Sequence, residues 1–125
     1  MKENVRSLLE EIGQDEPICG FYIGDGWFPH VARALREMAA VSGGWRLTQV
    51  KSKFCTLRIY YDLDKSVSEE EANAIHKIVR WAESNCDIAC EFCGALVGGG
   101  PMSGTKLCTD CLQKDVYHDM RKRKG

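Results

Sequence analysis

Four cysteines near the end of the chain are the residues whose type and spacing most plainly carry chemistry. Cys90-Glu91-Phe92-Cys93 and Cys108-Thr109-Asp110-Cys111 form two CxxC pairs with fourteen residues between them. Two residues between cysteines let one tight turn direct both sulfurs at the same ion, and Zn²⁺ takes four thiolates tetrahedrally at about 2.3 Å. Gly94 directly follows the first pair, where a knuckle needs a positive φ and amides free to donate to sulfur. The second pair runs into Leu112, Val116, Tyr117 and Met120 among polar residues, a helix-like pattern. Such a pair sits at a helix N-terminus, where the dipole favours thiolate. The expectation is one structural zinc per chain on Cys90, Cys93, Cys108 and Cys111, in a treble-clef or ribbon-like finger. Its hairpin would run from Ala95 to Leu107, with Gly98 to Gly104 at the tip.

The plain alternatives are two disulfides or four unliganded thiols. Seven cysteines is an odd number, and no secretory signal opens the chain, so a reducing cytosol and metal binding are expected over pairing. Four thiolates close the coordination shell, which points away from hydrolytic zinc. An iron–sulfur cluster is a further alternative, but the paired spacing is that of closed mononuclear sites. His118 lies seven residues past Cys111 and is expected on the surface of the last helix. Metal binding of this kind supplies about 10–16 kcal/mol, which a segment with little core converts into folding energy.

No catalytic set accompanies the cysteines. His30, His76 and His118 are scattered, and none sits in a motif that aims it at a nucleophile. Gly24-Asp25-Gly26 lacks the spacing and the lysine of a phosphate loop, and Asp62 and Asp64 read as a turn. The chain is therefore expected not to be an enzyme. A small metal-dependent nuclease is the reading kept for the case in which an acid and histidine cluster forms.

Two features suit binding. Arg121-Lys122-Arg123-Lys124 would place four cations at a helix end, where they can meet phosphate or simply complement the dipole. The polar face of a hairpin is expected to carry Trp45, Arg46, Lys51, Lys53, Arg58 and Tyr60, an aromatic and cationic mixture found at protein and nucleic-acid interfaces. The charge balance tempers the polyanion reading. Residues 1–89 hold 11 Lys and Arg against 14 Asp and Glu, a net of −3; residues 90–125 hold 6 against 4, a net of +2. A zinc ion with four thiolates brings the tail near neutrality. A protein partner is favoured, with nucleic acid as the alternative through the basic tail.

The elements that must position these groups follow from periodicity. Val5, Leu8, Leu9 and Ile12 repeat at helical spacing, with Gly13 as the stop. Residues 13–26 are rich in turn formers. A second helix starts near Trp27 or Pro29, with Phe28, Val31, Leu35 and Met38 as its apolar stripe. Residues 45–50 and 55–61 alternate as strands, with Cys55, Leu57, Ile59 and Tyr61 on one face and Lys51 to Phe54 as the connection. Ser68-Glu69-Glu70-Glu71 is a capping box that opens a helix with Ala72, Ile75, Ile78, Val79 and Ala82 buried. The 125 residues suit an α+β domain over 1–87, with helices on one face of a small antiparallel sheet, and a zinc module over 88–125. Hydrophobic residues at 44% and charged residues at 28% exclude a disordered composition, and no apolar run spans a bilayer.

Several stretches resemble a group of small proteins encoded by phages and prophages. The likeness rests on Gly26-Trp27-Phe28, on Gln49-Val50-Lys51-Ser52-Lys53-Phe54 running into Leu57-Arg58-Ile59-Tyr60, and on the two CxxC segments with their flanking Gly94 and Leu107. It covers roughly residues 24–112. This chain has Cys55 where that group often has glycine. The tail alone is similar to the fingers of DksA/TraR-type transcription factors, without their long coiled coil. The phage resemblance implies an accessory role in the bacterial cytosol, in host takeover or evasion of host defence, including inhibition of a CRISPR complex.

Overall fold

The computed structural model describes residues 2–53 and 56–96. Cys55, His118, the Gly98–Gly104 segment, Cys108, Cys111 and Arg121 to Lys124 lie outside them.

The first helix, α1, spans Glu3–Ile12 and buries Val5, Leu8 and Leu9. Gly13 ends it with φ +73°, a left-handed cap that glycine adopts without steric cost. After a short strand β1, Phe21–Tyr22, helix α2 spans Phe28–Val41 with Pro29 in its first turn, where the missing N–H costs no helical bond. Its expected stripe is buried: Val31, Leu35 and Met38 are inaccessible, and Phe28 packs at the margin. Strands β2, Trp45–Lys53, and β3, Thr56–Leu63, form an antiparallel pair. Helix α3, Glu69–Asp87, begins with both bonds of the capping box: Glu71 N donates to Ser68 Oγ at 3.1 Å, and Ser68 N donates to Glu71 Oε1 at 2.9 Å. It runs to Asp87, and Cys86 continues the stripe of Ile75, Val79 and Ala82 into the core.

The fold is α+β. The helices cover one face of a three-stranded sheet of order β1-β2-β3. The sheet is mixed rather than wholly antiparallel, because β1 pairs with β2 in parallel, Phe21 opposite Val50 and Tyr22 opposite Lys51. Pairing of β2 with β3 continues to Lys53 opposite Thr56, so Lys51 to Lys53 belong to the strand and not to its connection.

Simple alternation does not hold along β2. Leu47 pairs with Tyr61 and Gln49 with Tyr60, so Thr48 is the extra residue of a β-bulge. The bulge changes the phase of the strand. Trp45 and Leu47 before it and Val50 after it all face the core, while Arg46, Gln49, Lys51 and Lys53 all face away. The Thr48 carbonyl accepts from Cys19 N at 2.9 Å, which fastens the segment before β1 to the bulge. Where β1 is too short to reach, Gln14 acts in place of a strand. Its side-chain amide donates to Trp45 O at 2.8 Å and accepts from Leu47 N at 3.1 Å.

Candidate metal knuckle and open sheet face

Residues 88–96 follow α3 without a gap and turn back sharply. Gly94 N donates to Cys90 O at 2.9 Å, Cys90 N donates to Ala95 O at 2.7 Å, and Ala89 bridges Leu96 in antiparallel fashion. Gly94 has φ +85°, the left-handed backbone expected after a CxxC pair. Cys90 is buried and Cys93 exposed. Two soft sulfur donors held on one closed turn fit half of a tetrahedral thiolate site. No cluster of three metal-capable side chains occurs among the described residues, which exclude Cys108 and Cys111.

The knuckle is seated on the α+β core by contacts that no motif announces. The Glu91 carbonyl accepts from Gly26 N at 2.8 Å, and its carboxylate Oε2 accepts from Gly24 N at 3.0 Å. Trp27, fully buried, donates Nε1 to Ala89 O at 2.8 Å. The fit is backbone against backbone: a methyl on Gly26 would fall 2.2 Å from Cys90 O and 2.4 Å from Gly94 N. A methyl on Gly24 would fall 2.2 Å from Glu91 O. Gly24-Asp25-Gly26, which is no phosphate loop, is thus the receptor of the cysteine turn. The Gly-x-Gly-Trp run is the signal that marks it, but only the close approach of the chain gives that signal a meaning.

Cys86 lies one turn before the knuckle, fully buried. Burial, reinforced by the charges of Glu91 and Glu83, pushes its thiol up to about 12, so it is a neutral core residue and not a nucleophile. Burial also raises Glu83 above the usual carboxylate range, and the nearby Arg58 and Arg80 offset part of that rise. The two described histidines are engaged by aromatic side chains: His30 meets Trp81 edge-on at 6.2 Å, and His76 Nδ1 pairs with the Tyr61 hydroxyl. Burial is the main cause that raises the Tyr61 phenol.

The second feature is the sheet face turned away from the helices. Arg46, Lys53, Arg58 and Tyr60 are exposed on it and Lys51 is half-exposed. Trp45 is not among them. It is 4% exposed and belongs to the core, since it precedes the bulge in phase with Leu47, and its Nε1 finds no partner among the described residues. Tyr22 takes its place on the open face. By register Tyr22, Lys51 and Arg58 form one row across the three strands. Lys51 Nζ stands 5.7 Å from the centre of the Tyr60 ring. Tyr22 is 69% exposed and Tyr60 41%. Sequence reading missed Tyr22 because a two-residue strand has no periodicity to detect.

No described helix is long and apolar enough to cross a membrane. No family model, no curated protein and no solved structure matches the chain.

Proposed function

We propose that this is a non-enzymatic, zinc-stabilised docking protein. Cys90, Cys93, Cys108 and Cys111 hold one Zn²⁺, which folds a C-terminal finger onto the Gly24–Trp27 receptor and performs no chemistry. The open sheet face is the partner-facing surface, and the observation that carries this is its composition: four outward cations and two exposed tyrosines on a face with no described helix over it. The phage resemblance supplies the setting, an accessory protein acting in a bacterial cytosol on a host protein assembly, such as a CRISPR complex. The basic run Arg121 to Lys124 adds a second contact at the end of the finger.

The test is capture from nuclease-treated bacterial lysate on the immobilised, zinc-loaded full chain, compared with the Lys51→Glu/Arg58→Glu variant. The proposal expects a defined set of proteins retained by the native chain and lost from the variant. Identical sets on both would remove the sheet face from the account.

A further inference from the structure

We infer that the open sheet face takes single-stranded nucleic acid, with bases on Tyr22 and Tyr60 and phosphates on Lys51 and Arg58. The inference rests on reading this face as the docking surface and names the chemistry of what it meets. Charge selects an anion: Arg46, Lys51, Lys53 and Arg58 face outward from β2 and β3, against Asp62 alone among the described residues of those strands. Glu83, on α3, is a further acid close enough to feel the charge of Arg58.

The rings select the kind of anion. Nucleic acid matches both groups at once, with phosphates for the cations and flat bases for the ring faces. A base stacks on any exposed aromatic face, whatever its identity, and sheet platforms that bind single strands pair such rings with cations in this way. Tyr22 on β1 and Tyr60 on β3 are separated by the width of β2 and offset by two residues. Strand spacing and rise put their Cα atoms about 12 Å apart. Lys51 lies on β2 between the two strands, and Arg58 ends the row that starts at Tyr22, two residues from Tyr60. A duplex keeps its bases stacked on each other and cannot use the rings, so the preference is for a single strand.

The bulge at Thr48 makes this surface possible. Without it Arg46 would stand on the opposite side from Lys51 and Lys53, on the same face as Val50.

The experiment is fluorescence anisotropy of a labelled oligothymidylate of about 12 nucleotides with the zinc-loaded full chain, titrated across salt. Tyr22→Ala and Tyr60→Ala should each weaken binding by about 5- to 150-fold. Lys51→Gln/Arg58→Gln should flatten the log–log salt slope by about 1.4, at about 0.7 for each single-strand phosphate that is no longer neutralised. Circular dichroism and zinc content confirm that the variants fold, and Tyr22→Ala carries the test alone if Tyr60→Ala does not. No binding at about 25 mM salt overturns the inference, since electrostatic attraction is strongest there. So does binding untouched by the tyrosine variants and displaced by polyglutamate, which assigns the face to an acidic protein. Binding abolished only when Arg121 to Lys124 are replaced moves the site to the tail and also overturns it. These outcomes are separate from the lysate comparison: failure with the oligonucleotide leaves protein docking standing, and capture of no protein leaves the oligonucleotide result standing.

Discussion

Replacing Gly26 with alanine tests whether the cysteine turn and the α+β core form one packed unit. The added methyl would lie 2.2 Å from Cys90 O, 2.4 Å from Gly94 N and 2.9 Å from Cys93 N. All three are backbone atoms, so no side-chain rotation relieves the clash, and ordinary contact requires the turn to retreat by about 1 Å. The Gly26 N to Glu91 O bond at 2.8 Å and the Trp27 Nε1 to Ala89 O bond at 2.8 Å would then stretch beyond bonding distance. Overpacking costs about 1–3 kcal/mol, and breaking each buried bond adds about 1 kcal/mol. The expected loss is about 3–5 kcal/mol. At about 4–8 °C per kcal/mol for a domain of this class, Tm falls by at least about 12 °C. Zinc affinity should fall with it, because the displaced atoms belong to Cys90 and Cys93. Gly43 is the control. A methyl there meets nothing within 4 Å, so Gly43→Ala should change stability by less than about 1 kcal/mol. Urea unfolding and competition with a zinc chelator read both effects. Equal midpoints for the two variants would refute the packed seat.

Other consequences follow from single contacts. Trp27→Phe removes the donor to Ala89 O, leaves a buried carbonyl unpaired and should cost about 1–3 kcal/mol in urea unfolding. Ser68→Ala removes the acceptor for Glu71 N and should cost about 1 kcal/mol, read as a loss of α3 helicity on heating. Cys86 has its folded thiol raised to about 12 from an ordinary value near 9. The neutral form is the one favoured by folding, so its contribution is complete below pH 9. It is lost as pH rises from there toward 12, by up to about 1.4 kcal/mol per pH unit. Iodoacetamide at pH 8 should accordingly modify the exposed Cys19 in the folded chain and spare Cys86 until unfolding.

Local signals were the legible ones. Gly13 ends α1, Ser68 and Glu71 open α3, and the stripes of α2 and α3 are buried except for Phe28, Ala72 and Ile78 at their margins, because each depends on residues within a turn or two of one another. The same locality located the turn after Cys93 and the positive φ at Gly94. Contacts between distant segments were not legible. The parallel β1 is two residues long and exists because β2 offers it a partner. The bulge leaves no mark in composition: residues 45–50 read as an alternating strand, yet one extra residue decides that Trp45 is core and that Arg46 shares a face with Lys51. Gly24 and Gly26 looked like a turn, and their use as the floor of the knuckle depends on a segment more than sixty residues away.

The central claim is that four thiolates hold one zinc ion in a turn seated on this core. X-ray absorption at the zinc edge on the purified full chain tests it most directly. The account predicts one zinc per chain with four sulfur neighbours at about 2.3 Å, falling well below one per chain in Cys93→Ser. A shell containing nitrogen or oxygen ligands, or full zinc occupancy in Cys93→Ser, would contradict it.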